Sequence, residues 1–126
     1  MLLLENEIKA SSQQTVIIKI IKQYAAYEKL PPIMITENGC AMPDKVADGK
    51  VHDPRRVEFY KKNLQQVLKA KKEGVDIRGY FAWTIMDDFE WAEGFDPRFS
   101  FVHVDFETQK RTIKDSGLWF QSFLGQ

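Results

Sequence analysis

Apolar residues along this chain follow a helical period, lose it, and find it again. In residues 13–29, QQTVIIKIIKQYAAYEK, Val16, Ile20 and Tyr24 line one face with Ile17, Ile21 and Ala25 beside it, which predicts an amphipathic helix. Ser11 and Ser12 supply N-cap hydroxyls, while the β-branched run Val16-Ile17-Ile18 lowers the intrinsic propensity. Leu30-Pro31-Pro32 ends it, because proline cannot continue a helix and restricts the residue before it. The next run, Ile33-Met34-Ile35-Thr36, is apolar without alternation, the pattern of a strand covered on both faces in a parallel sheet.

Residues 38–53 carry turn signals at Asn38-Gly39 and Asp48-Gly49 and read as one long loop, the kind of segment that tends to carry function. Asp53 then caps a helix with Pro54 at its first position; Val57, Tyr60, Leu64, Val67 and Leu68 form its apolar face, and Gly74 stops it. A second strand, VDIRGYFAWTIM over residues 75–86, runs into a polar burst of Asp87, Asp88 and Glu90. Residues 99–113 have the look of a hairpin, and an amphipathic helix at about residues 116–124 closes the chain.

Helices alternating with buried strands imply α/β class and a parallel sheet. Two such strands cannot stand alone, because each would be buried on both faces and still leave an open edge. The pattern therefore predicts part of a larger α/β structure. Acidic residues end both strands, where α/β folds build their sites.

Composition narrows the function. Across 126 residues, 18 Lys and Arg balance 18 Asp and Glu, so no charge excess invites nucleic acid or an anionic membrane. The single cysteine, Cys40, has no internal disulfide partner. The opening MLLLENE is too short for a signal-peptide core or a membrane span, so the expected location is cytoplasmic. Aromatics reach 13% and crowd into residues 80–106, either as core or as a stacking surface for a flat ligand or sugar face.

Two stretches hold candidate chemistry. In Thr36-Glu37-Asn38-Gly39, Glu37 is either a solvated strand-end residue or a group aimed at a substrate. In residues 83–91, WTIMDDFEW, Glu90 stands among tryptophans, an arrangement suited to sugars: rings stack on C–H faces and a carboxylate accepts bonds from vicinal hydroxyls. Glu37 and Glu90 together suggest the two carboxylates of a glycosidase. Asp87, Asp88, Asp96 and Asp105 suggest oxygen ligands, but without metal-loop spacing, and no metal or other cofactor is expected. His52, His103, Ser116 and Cys40 have no motif context and read as packing, surface or helix-start residues.

The segments PPIMITENG, RGYFAWTIMDDFEWAEGFDPRFSFVHVDF and KRTIKDSGLWF closely resemble glycoside hydrolase family 1, the β-glucosidase family, over roughly residues 13–124, whereas residues 1–12 match poorly. The resemblance implies a (β/α)₈ barrel of retaining hydrolases, with IMIT as its seventh strand and GYFAW as its eighth. It implies that Glu37 is the catalytic nucleophile. It moves Glu90 from acid to glycone binding, with Trp91 assisting, Trp83 as the platform under the sugar and Phe95 closing the pocket. A carboxylate at Glu90 would repel a 6-phosphate, which favours a non-phosphorylated β-glycoside.

The chain departs from the family in two ways. Asp88 stands where the family commonly has Asn, and Ser100 where it commonly has Gly. More consequentially, no Asn-Glu-Pro segment occurs, so the family's acid/base is absent, as are about six of the eight strands. The expectation is the C-terminal portion of a barrel, incomplete by itself and inactive as a lone chain. Its implied partners are a β-glucoside and an N-terminal chain bringing the missing strands. The alternative is a non-catalytic carbohydrate-binding or complementing module.

Overall fold

The computed structural model describes residues 19–27 and 31–125. Residues 19–25 are helical, so the start of the first expected helix and its serine cap lie outside the described residues. Strand β1 is Ile33–Asn38, β2 Val46–Ala47, β3 Lys50–Val51, helix α1 Pro54–Lys72, β4 Ile77–Ala82, β5 Val102–Val104, β6 Arg111–Ile113 and helix α2 Asp115–Leu124. The chain divides into two compact units, Met1–Thr36 with Phe59–Tyr80, and Glu37–Glu58 with Phe81–Gln126.

Strands β1 and β4 pair as the expected parallel couple. The Ile33 N–H donates to the Asp76 carbonyl at 2.8 Å and the Trp83 N–H to the Asn38 carbonyl at 2.9 Å, so the partners advance together along both strands. Coverage on both faces is not provided among the described residues. Ile33 and Ile35 pack into a core, whereas Met34 is 54% exposed on β1 and Phe81 53% on β4.

The first unit is organised by apolar burial. Ile21, Val67, Ala70 and Ile77 are buried together, with Ile33, Ile35, Val75 and Tyr80 packed against them. Helix α1 supplies Val67 and Ala70 because its apolar residues recur at helical spacing. Tyr60 and Leu64 are also buried, whereas Leu68, expected on the same face, is 53% exposed. Two residues beyond α1, Gly74 adopts φ +99°, and the N–H of Val75 bonds back to the Ala70 carbonyl at 3.1 Å. A left-handed residue there closes the helix at little cost only as glycine.

The second unit has shorter elements. Residues 38–53 are not one loop, since β2 and β3 pair antiparallel around Asp48-Gly49. Both turn residues have positive φ, +50° and +73°, which matches the twist of a two-residue hairpin. Strands of two residues carry no readable alternation, so only their turn was legible. The expected hairpin at residues 99–113 is present as β5 and β6, with His103 opposite Thr112.

The strand expected over residues 75–86 stops at Ala82. Beyond it the backbone bonds elsewhere: Phe101 N–H to the Thr84 carbonyl, Val102 N–H to Ile85 and Asp87 N–H to Val102, at 3.0, 3.0 and 3.1 Å. These bonds lead the chain onto the segment before β5 instead of along β1.

Candidate functional site

Glu37 lies near the carboxyl end of β1 and is exposed. The residues after it are held tightly against Trp83. A Cβ on Gly39 would sit 2.1 Å from the Trp83 carbonyl oxygen, a backbone atom that cannot yield, so glycine is required. Together with the Asn38–Trp83 backbone bond, this fixes the turn that follows the glutamate.

Trp83 follows β4 directly, and its half-buried ring donates Nε1–H to Glu90 Oε1 at 3.1 Å. The peptide between Trp83 and Thr84 is cis. Glu90 is held from its backbone as well: its N–H donates to the Gly94 carbonyl at 2.8 Å, and its carbonyl accepts from Glu93 N–H at 2.7 Å. A single 3-10 turn, Trp91–Glu93, fills the loop, with Trp91 at φ +39° and Gly94 at φ +69°. Trp91 is 88% exposed, so its ring projects into solvent. Phe95 joins a row of rings, 5.3 Å from Phe89 and 4.6 Å from Phe106 between centroids.

The structure thus joins Trp83 to Glu90 directly and packs the turn after Glu37 against the Trp83 backbone. Phe95 is placed among the aromatics flanking Glu90, and Trp91 stands apart at the loop tip.

The acidic burst after β4 divides by environment. Asp87 is buried and bonded to the Arg98 guanidinium at 2.9 Å, the Lys114 ammonium at 3.1 Å, the Val104 N–H at 3.2 Å and the Ser100 hydroxyl. Burial pushes its carboxyl pKa up, but the Ser100 hydroxyl and the Lys114 charge outweigh it and hold the group below the usual carboxylate range. Asp88, half-buried beside Glu90, shifts the other way: burial first, then the Glu90 and Asp87 charges, raise it. Asp105 accepts the N–H groups of Glu107 and Thr108, both at 3.0 Å, and serves a turn. Among the described residues no group of three or more His, Cys, Asp or Glu is placed to hold a metal ion.

Asp87 belongs to a buried web that sequence reasoning missed. Arg56 donates to Asp44 at 3.0 Å, to Asp53, and to the carbonyl of Arg98 at 2.6 Å. Lys114 bridges Asp44 and Asp87. Asp53 accepts from the Ser116 N–H at 2.8 Å and the Ser116 hydroxyl at 2.5 Å, tying the start of α1 to the start of α2. The side chains of Arg56, Lys114, Asp44 and Asp87 are each 0% exposed. Lone polar residues scattered through loops and helix starts carry no periodic signal. Arg98 and Lys114 did fall inside the segments that bear the resemblance, which was the available clue. Cys40 stays a bland residue, its thiol pushed up to about 11 chiefly by burial. His52 pairs with Asp115 at 2.7 Å on the surface.

Comparison with known proteins places this geometry. A model of Glycosyl hydrolase family 1 matches residues 6–126. Beta-glucosidase A of Thermotoga maritima is 47% identical over 104 residues, 82% of this chain and 23% of that protein. A 6-phospho-beta-galactosidase of Clostridium acetobutylicum is 41% identical over 105 residues, 83% of this chain and 22% of that protein. The crystal structure of a family 1 beta-glucosidase from Exiguobacterium antarcticum B7 superposes with a TM-score of 0.84 at 41% identity, covering 89% of this chain and 25% of that one. The chain therefore spans about a quarter of the length of the relatives it matches. A parallel strand pair with an uncovered face and no closed sheet among the described residues is what the C-terminal portion of a (β/α)₈ barrel looks like alone, and this chain belongs to glycosyl hydrolase family 1.

Proposed function

We propose that this chain carries the nucleophile and the glycone-binding end of a retaining β-glycosidase site for non-phosphorylated β-glycosides. The observation that carries the reading is the 3.1 Å bond from Trp83 Nε1 to Glu90 Oε1 just past β4. It fixes a carboxylate at the edge of an indole ring and leaves the ring faces to stack, a pairing suited to gripping a sugar by its hydroxyls and its C–H surface. Glu37, at the end of the neighbouring strand, is the nucleophile of the scheme. Its carboxylate attacks the anomeric carbon, the leaving oxygen departs with a proton from a general acid, and water then cleaves the glycosyl ester.

That acid is not in this chain, whose sequence has no Asn-Glu-Pro segment. Without it the leaving group departs unprotonated, a loss of roughly 10²–10⁴ in rate. Glu37 also lacks the surrounding strands that would hold it in attack geometry. By itself this stretch is inactive, and it works only where the acid and the missing strands are supplied to it. The relatives include a 6-phospho-beta-galactosidase, so overall identity does not select the substrate. Glu90 and its neighbour Asp88 make the position anionic and oppose a phosphate.

The test is hydrolysis of an aryl β-glucoside by the chain alone and together with a relative's N-terminal three quarters. Turnover is expected only in the mixture and is expected to vanish with Glu37→Gln. Turnover by the chain alone that needs Glu37 overturns the inactivity, and a mixture indifferent to Glu37→Gln overturns the nucleophile. The 88% exposure of Trp91 favours a second reading, a sugar-binding module without catalysis. A tryptophan fluorescence response to glucose in the chain alone supports it, and a silent titration removes it.

A further inference from the structure

The loop bearing Glu90 has two ends and two flanking rings, and one side chain touches the supports of both. Arg98 Nη1 donates to Asp87 Oδ2 at 2.9 Å and to the Val104 carbonyl at 3.0 Å. Its guanidinium carbon also lies 4.5 Å from the centroid of the Phe106 ring. Phe106 contacts Phe95 at 4.6 Å, and Phe95 contacts Phe89 at 5.3 Å. Phe89 precedes Glu90 directly, Asp87 stands at the start of the loop and Phe95 at its end.

We infer that Arg98 is a positioning residue for Glu90: its ion pair fixes the start of the loop through Asp87, and its planar face fixes the flanking rings through Phe106. The two supports differ in kind. Asp87 is held by Lys114 and Ser100 as well, so that anchor survives loss of one donor. Among the described residues the Phe106–Phe95–Phe89 row has no such duplicate on its guanidinium side. A guanidinium suits both at once, because its N–H groups donate in its plane while its face is left for a ring, whereas an ammonium is a compact point charge. Arg98 is 21% exposed in its side chain and touches no group assigned to the reaction, so it acts through the loop. The inference rests on the reading of Glu90 as a sugar-binding carboxylate only for its functional meaning; the placement itself is testable without sugar.

The readout is the Trp83 indole N–H, the donor to Glu90. In the full 126-residue chain its nitrogen-15 resonance is assigned by Trp83→Phe, and its exchange with water is timed. Arg98→Gln and Phe106→Leu are each expected to keep the far-ultraviolet circular dichroism while speeding indole exchange roughly five- to tenfold, the effect of losing about one hydrogen bond's worth of protection. Arg98→Lys, which keeps the charge but not the plane, is expected to restore less than half of the protection. Unchanged exchange in Arg98→Gln and Phe106→Leu overturns the inference. So does unfolding of both, since a positioning residue leaves the frame standing, and so does full rescue by lysine. A wild-type chain that ignores glucose while these shifts appear removes the stand-alone sugar-binding module and leaves the positioning intact.

Discussion

The two units of this small protein are held by opposite means. In the unit of residues 19–27, 31–36 and 59–80, the buried residues are Ile21, Tyr60, Leu64, Val67, Ala70 and Ile77, with Asn63 the polar exception among the described residues. In the unit of residues 37–58 and 81–125 the balance reverses. Val51 and Val104 are its buried apolar residues, against Asp53, Arg56, Asp87, Ser100, Lys114 and Ser116. Apolar burial is non-directional, so such a core tolerates changes that conserve volume. A buried charge web is directional, and each group stays tolerable only while its partners remain. Three cations, Arg56, Arg98 and Lys114, face three carboxylates, Asp44, Asp53 and Asp87, so the web is internally neutral. The candidate site residues Glu37, Trp83, Glu90, Trp91 and Phe95 all belong to the unit with the web. A ladder of hydrogen bonds gives the fixed geometry a site requires, and apolar packing gives mainly cohesion.

The sequence offers a convenient separation for testing this. All three tryptophans, Trp83, Trp91 and Trp119, lie in the polar unit, and all four tyrosines in the apolar one. The largest expected effect is from Arg56→Met, which takes the guanidinium from Asp44 and Asp53 in a dry site, leaving Asp44 to Lys114 and Asp53 to the Ser116 donors alone. A loss of about 3–5 kcal/mol is expected in urea unfolding followed by tryptophan fluorescence. A loss below about 1 kcal/mol would break the contrast, since it would make the web dispensable. Next comes Val67→Ala in the apolar core, expected to cost about 2 kcal/mol when followed by circular dichroism at the helix band. A cost equal to that of Arg56→Met would remove the distinction between the units.

The smallest effect concerns pH. Asp87 has a folded pKa held below its unfolded value, so its contribution is fully present above about pH 4, the unfolded carboxylate value. It is lost as the pH falls through the lower folded value. Tryptophan fluorescence should therefore report acid destabilisation below about pH 4 that Asp87→Asn largely abolishes, since the variant has no proton left to take up there. An acid transition of unchanged position and size in that variant would show that another group governs it.

How much of this was legible depended on whether a signal repeats. Pro54 and the spacing of Tyr60, Leu64 and Val67 announced α1, and Gly74 announced its end, because helix geometry imposes a period and a stop. Asp48-Gly49 announced a turn but not the two-residue strands it joins. The residue types of the candidate site, Glu37 and the WTIMDDFEW stretch, were visible as motifs. Glu90 stood out there by its tryptophan neighbours, whereas Asp87 read only as a further acidic residue, a candidate oxygen ligand, in the same loop. Burial decides between them: Asp87 is turned into a web of cations, while Glu90 meets an indole N–H.

By itself, then, the sequence determined the order of the longer elements, the parallel pairing implied by an apolar run without alternation, and the family to which the segments belong. These are local or repetitive properties, carried by each residue and its near neighbours. Only the tertiary structure decided that Arg56, Lys114 and Asp87 form one neutral web, that Arg98 serves both an ion pair and a ring, and that Trp83 holds Glu90. Those partners lie up to 70 positions apart along the chain, as Lys114 does from Asp44, and no period links them. Distance in sequence hides what burial makes necessary: a charge removed from water must find its opposite wherever the fold brings one.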